Sequence, residues 1–139
     1  MKKSVFQFEN PRIKNIVFQS NDKFNPDNAQ KVDFRIKTET NISRAENDKR
    51  AQVELKVELP EEPKEMLDKG LPYYCCVSVI AEFVWEEDLE EKQADNFLRL
   101  NAAALLLSYA RTTIAQLTME AGYPAYHLPF IDFRDSVLK

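Results

Sequence analysis

FLRLNAAALLLSYA, residues 97–110, decides the fold, because within it only Arg99, Asn101 and Ser108 are polar. Such a run is a helix with more than the single apolar stripe that a surface helix needs. On an ideal helix Ala103, Leu106, Leu107, Ala110, Ile114 and Leu117 form one stripe. Leu98, Ala102, Leu105 and Tyr109 form a neighbouring one. The helix is predicted over 96–121. Asp95 is placed as its N-cap, Gly122 supplies the C-terminal stop, and Pro124 prevents continuation. The acidic stretch from Glu86 to Asp95 complements the dipole at its start. One sheet of a small domain covers only one stripe. The other costs about 25 cal/mol per Å² of apolar surface left in water, so Leu98, Ala102, Leu105 and Tyr109 are expected at an interface between copies of the chain. The alternative is that the C-terminal segment folds back over them.

Upstream of the helix the period is two. Tyr73 to Trp85 alternates with both faces largely apolar, which predicts a strand covered on one side by the helix and on the other by a partner or ligand. Before it lies a long hairpin. In the strand Lys31 to Ile42, Val32, Phe34, Ile36, Thr38, Thr40 and Ile42 share one face and charged residues the other. In its partner, Val53, Leu55, Val57 and Leu59 point inward. Glu46 to Lys49 makes the turn, and Pro60 to Pro63 ends the second strand, since proline cannot continue a ladder. A short run, Asn15 to Gln19, reads as the first strand, followed by the turn residues Asn21, Asp22 and Asn25 to Asn28. One helical turn is expected near Lys64 to Leu67. The fold class is therefore α+β: a four-stranded antiparallel sheet packed on one long C-terminal helix, in a single domain over 1–139.

Downstream, Tyr123 to Lys139 is rich in large apolar groups, and Pro124 and Pro129 keep its first part extended. This segment reads either as packing on the sheet or as one wall of an apolar groove.

Composition excludes more than it suggests. The 139 residues are 44% hydrophobic and 30% charged, with a formal net charge of −4. That balance argues against a nucleic-acid partner, which needs a clustered basic surface. No stretch is long and apolar enough for membrane insertion, and the N-terminus does not read as a secretory signal, so the cytoplasm is the expected location. Gly70 and Gly122 are the only glycines, too few for a phosphate-cradling loop. Cys75 and Cys76 are adjacent in a strand and point to opposite faces, so they are expected as free buried thiols. With His127 as the single histidine, no zinc ligand set, other cofactor site or nucleophile–base pair is spelled out, and no enzymatic activity is expected.

Within this order of elements, Leu106-Leu107-Ser108-Tyr109-Ala110-Arg111, then Gly122-Tyr123-Pro124, then Leu128-Pro129-Phe130-Ile131-Asp132-Phe133 resemble the SecB chaperone family. That family carries a leucine-phenylalanine-proline-tyrosine-alanine-arginine signature in its long helix, followed by a glycine-phenylalanine-proline turn and a leucine-alanine-proline-x-asparagine-phenylalanine segment. Asn15-Ile16-Val17-Phe18 is similar to its first strand, and Ala81-Glu82-Phe83 to the end of its last strand. Ser108 replaces the signature proline, and Asn101-Ala102 stand where a cysteine–proline pair is common.

The resemblance implies an ATP-independent holdase that binds unfolded or nascent polypeptides for export. The implied assembly is a homo-oligomer, a dimer or dimer of dimers. It places the walls of a client groove on Val32, Phe34 and Ile36 and on Tyr126, Leu128, Phe130, Phe133 and Val137, the alternative for Val32, Phe34 and Ile36 being ordinary core that faces the main helix. It also implies that the acidic sheet face, including Glu54, Glu58, Glu61 and Glu62, meets the export motor SecA; the alternative is a solvated face. Lys139 precedes the point where the family's acidic, zinc-binding tail would begin, so SecA docking is expected to be weak. Two other readings are a dedicated chaperone of one client, such as an antitoxin, and a non-catalytic assembly adaptor.

Overall fold

The most apolar strand of the sequence becomes the centre of the sheet. A computed structural model describes residues 6–27, 32–44, 48–86 and 89–134. In it β1 (Phe6–Ser20), β2 (Lys37–Ser43), β3 (Arg50–Leu59) and β4 (Tyr73–Trp85) form one antiparallel sheet in the order β1-β4-β3-β2. β1 and β2 are its edges. A single short turn of helix, α1 (Glu65–Asp68), precedes β4. Met66 of α1 packs on Tyr74 and Cys76, so part of the outer face of β4 is covered from within the chain. The inner face of β3 and β4 carries the core: Val53, Leu55, Val57, Val77, Val79 and Phe83 are all sealed from solvent.

β1 is three times as long as the sequence predicts. It begins at Phe6 rather than Asn15 and passes through Asn10-Pro11 as an irregularity. The register shifts between Glu9 and Arg12 and again between Ile13 and Asn15. Asn10 sits in the left-handed region, with φ 53°, which asparagine tolerates better than most residues. β2 is shorter than predicted. Pairing with β3 begins only at Lys37, and Val32 to Ile36 runs alongside without joining the ladder. The alternation nevertheless persists there, with Phe34 buried between exposed Asp33 and Arg35.

The helix starts earlier than Asp95. Glu90 is the N-cap and forms a capping box with Gln93, each side chain serving the other's backbone N–H. α2 (Glu91–Asn96), a π-helical segment (Phe97–Ala102) and α3 (Ala103–Glu120) run on without interruption. The end is as expected. Gly122, with φ 92°, closes a Schellman motif in which Tyr123 N–H donates to Thr118 C=O and Gly122 N–H to Met119 C=O, both at 3.0 Å.

The π segment corrects the assignment of Leu98 and Ala102 to an interface. Both are fully buried within the chain. An α-helix turns about 100° per residue, and on that wheel Leu98 lies well off the stripe of Leu106, Ala110 and Ile114. A π segment takes one extra residue into its turn. That insertion rotates Ala94 and Leu98 onto the same face as Leu106, and they pack into the same core. Leu105 is half-buried against the core, and only Tyr109 of the four is exposed.

Candidate functional site

Beyond Gly122 the chain doubles back along the flank of α3 that faces away from Tyr109, and three polar contacts hold it there. Tyr123 Oη donates to Pro72 C=O at 3.1 Å, tying the turn to the start of β4. Tyr126 N–H donates to the buried Thr118 Oγ at 2.9 Å, while that hydroxyl lies 3.0 Å from the carbonyls of Ile114 and Ala115. Arg111 donates from Nε to Leu128 C=O at 3.0 Å and from Nη2 to Pro129 C=O at 3.2 Å. Its guanidinium also lies 4.8 Å from the centre of the Phe130 ring.

Between this loop and the extended Val32 to Ile36 segment lies a cleft of about 210 Å³. Its walls are Val32 and Phe34 on one side and Tyr123 to Tyr126 on the other, with Phe24, Pro72 and Tyr73 below. The rings hold one another. Phe34 stacks on Tyr73 at 4.8 Å and meets Tyr126 edge-on at 5.4 Å, and Tyr73 is 5.0 Å from Tyr123. Burial pushes the Tyr73 phenol well above its ordinary pKa, and burial followed by the charge of Asp33 raises that of Tyr126. Both stay neutral at physiological pH. The cleft therefore offers apolar and aromatic contact with a few phenolic hydrogen bonds.

A second cleft, of about 290 Å³, continues along the inner face of β2. It is lined by Thr38, Thr40, Ile42, Arg99 and Phe133 and is more polar than the first.

Of the groove residues expected from sequence, the structure brings Val32, Phe34 and Tyr126 together in the first cleft. Ile36 is half-buried and packs on the core. Leu128 and Phe133 turn inward and are buried, Phe133 also bordering the second cleft. Phe130 faces the other way and is 93% exposed, because Arg111 draws the adjoining carbonyls onto the helix and leaves the ring outside. Val137 lies outside the described residues. Sequence reasoning missed Phe24, Tyr73 and Tyr123 as walls and Thr118 and Arg111 as tethers. Tyr123 and Arg111 sit inside the quoted motifs, so a signal was present. Phe24 had none.

The opposite flank of the helix carries an exposed apolar surface. Phe8, Ile13 and Ile16 of β1 are each 39% or more exposed, and Tyr109 stands 6.3 Å from Phe8 in an edge-on contact. The acidic outer face is interleaved with cations. Lys14 pairs with Glu54 at 2.6 Å, Lys56 with Glu58 at 3.4 Å and Arg50 with Glu9 and Glu82. Glu58 also accepts a hydrogen bond from Tyr74 Oη at 2.6 Å. His127 is exposed, and among the described residues no group of three or more His, Cys, Asp or Glu side chains is placed to hold a metal.

The family model described as preprotein translocase subunit SecB matches residues 2–136. The protein-export protein SecB of Anaplasma phagocytophilum (strain HZ) is 40% identical over 60 residues, covering 43% of this chain and 36% of that relative. The matched stretch is thus about a third of that relative's length. Among solved structures, the fold is similar to the Mycobacterium tuberculosis Rv1957 SecB-like chaperone, which was solved in complex with a ChAD peptide from the Rv1956 HigA1 antitoxin. The TM-score is 0.69 at 15% identity, over 91% of this chain and 90% of that one.

Proposed function

The chain belongs to the SecB family, and from that premise we propose that it is an ATP-independent holdase that captures extended, unfolded polypeptide in the aromatic cleft. The observation that carries this reading is the cleft itself. Val32, Phe34 and Tyr126 face one another across a gap wide enough for a side chain, and nothing ionised lines it. Binding there is partition of apolar groups out of water. Beside the cleft the free edge of β2 offers backbone groups for strand addition. Holding a client needs no covalent chemistry, and the exposed His127 takes no part in it.

A second copy of the chain is the proposed occupant of the β1 flank. Phe8, Ile13, Ile16 and Tyr109 form an apolar surface next to an unpaired strand edge, and pairing two such edges buries both at once. Linking protomers places several clefts within reach of one client and raises avidity without new contacts. The cytoplasm is the compartment in which such a protein meets unfolded export substrates, and its free cysteines suit a reducing medium. SecA is the weaker partner assignment, since the acidic face is already paired with lysines and arginines.

A dedicated-client reading is favoured by one comparison. The similar fold of Rv1957 carries an antitoxin peptide, and the same cleft serves equally for one preferred sequence. Light scattering separates the two. A denatured, unrelated precursor diluted into buffer with this protein stays soluble if the chain is a general holdase, and Tyr126→Asp abolishes that protection while leaving the circular dichroism unchanged. A folded protein that protects no unrelated precursor overturns the general reading and leaves the dedicated one.

A further inference from the structure

The aromatic cleft is lined by three tyrosines, Tyr73, Tyr123 and Tyr126, and only one of their hydroxyls is engaged. Tyr123 Oη donates to Pro72 C=O. Tyr126 is tethered through its backbone N–H rather than its side chain. Among the described residues neither Tyr73 Oη nor Tyr126 Oη has a hydrogen-bond partner. Tyr74, next to Tyr73 but on the opposite face of β4, gives its hydroxyl to Glu58, as buried phenols usually do. The two unpaired hydroxyls are not sealed in either: among the described residues the only enclosed side-chain polar atom without a partner is Arg44 Nη1. Unpaired and not enclosed, both open on the cleft that they line. Asp33 lies near enough to add its charge to the effect of burial on the Tyr126 phenol, yet accepts no hydrogen bond from it.

Resting on the holdase reading and deepening it, we infer that the Tyr73 and Tyr126 hydroxyls donate to main-chain carbonyls of the client on either side of the apolar residue seated in the cleft. A side chain cannot enter such a cleft without drawing its flanking peptide groups out of water, and a carbonyl left unpaired there is penalised. Strand addition is not set up at this point. The regular edge of β2 begins only at Lys37, and Val32 to Ile36 runs outside the ladder. A neutral phenol has one proton to give and needs an acceptor for it. Burial first, and then Cys75 and the two neighbouring phenols, keep Tyr73 in that neutral form. Main-chain carbonyls are the acceptors that every client carries, whatever its side chains. Both donors are also held in place before a client arrives. Tyr73 is packed against Phe34 and Tyr123, and Tyr126 is fixed by the Phe34 ring and by Thr118.

The test removes the hydroxyls and nothing else. Tyr73→Phe and Tyr126→Phe are compared with the parent chain against two probes. One is a labelled short peptide with a single Phe in a serine and alanine background. The other is the uncharged dye N-phenylnaphthylamine, which has no carbonyl, followed only in the fraction that excess peptide displaces. Each variant is expected to bind the peptide about two- to tenfold more weakly by fluorescence anisotropy and the dye as the parent does. The same peptide with thioamides in place of the two carbonyls flanking Phe, sulfur being the weaker acceptor, should bind the parent less well and lose little more in either variant. Unchanged peptide binding in both variants, or a thioamide peptide as sensitive to them as the original, overturns the inference while the cleft stands as an apolar site. An equal loss of dye and peptide also overturns it, since the hydroxyls then act on the shape of the cleft. If the parent chain binds no peptide and unrelated precursors still aggregate, the general-holdase reading falls with it.

Discussion

The Thr118 hydroxyl and the Tyr126 amide, eight residues apart, join the last turn of the helix to the wall of the cleft through a 2.9 Å hydrogen bond. Thr118 is completely buried, so its hydroxyl has no water to fall back on. Thr118→Val keeps the shape and removes the acceptor, leaving the Tyr126 N–H unpaired. The expected cost is about 1–3 kcal/mol in urea unfolding, with Thr118→Ser retaining most of the stability. A Thr118→Val chain as stable as the parent would show that the loop does not depend on this bond.

Arg111 holds the next stretch of the same loop by two carbonyls and by the Phe130 ring. Arg111→Met keeps an apolar stem and loses both donors. Chymotrypsin is expected to cut after Phe130 several-fold faster in this variant, with the sheet and helix intact by circular dichroism. An unchanged cleavage rate would mean that packing of Leu128 alone secures the loop.

Leu98 and Tyr109 separate core from surface on one helix. Leu98→Ala empties a fully buried site and is expected to cost about 2–5 kcal/mol. Tyr109→Ala should leave the secondary structure unchanged and act instead on the association state, read by light scattering after size exclusion. If Tyr109→Ala and the parent associate identically, the β1 flank is not where copies meet.

Alkaline pH should unfold the chain early. Burial first, and then the neighbouring Cys76, push the Cys75 thiol up to about 12, while burial raises the Tyr73 and Tyr74 phenols above their usual values. Each group is protonated in the folded state and ionises at lower pH once unfolded. Their contribution to stability is therefore complete below about pH 9 and is lost as pH rises toward the folded values. The urea midpoint should be level from pH 7 to 8.5 and fall steadily above it. A thiol reagent should label neither cysteine at pH 8 without denaturant.

The strands with strict alternation were legible from sequence because period two and burial coincide in them. Val53 to Leu59 and Tyr73 to Trp85 are strands where expected. What failed to show were departures from ideal geometry. The π segment hides from a helical wheel drawn at constant pitch, so Leu98 and Ala102 were assigned to the wrong face. The Asn10-Pro11 irregularity hides β1, because those residues signal a stop. In the cleft, Val32, Phe34 and Tyr126 were legible as an apolar face and an apolar loop. The inward turn of Leu128 and the outward turn of Phe130 depend on Arg111 reaching their backbone, a tertiary contact no local pattern carries.

The interruption at Asn10-Pro11 bears on a hazard of this architecture. A protein that lends a strand edge to unfolded chains is exposed to the same pairing by its own kind, and uninterrupted edges grow into fibres. Proline has no N–H to donate, and a left-handed asparagine turns the backbone out of line. Together they interrupt β1 near its start, which shortens the regular edge open to self-pairing and works against open-ended growth.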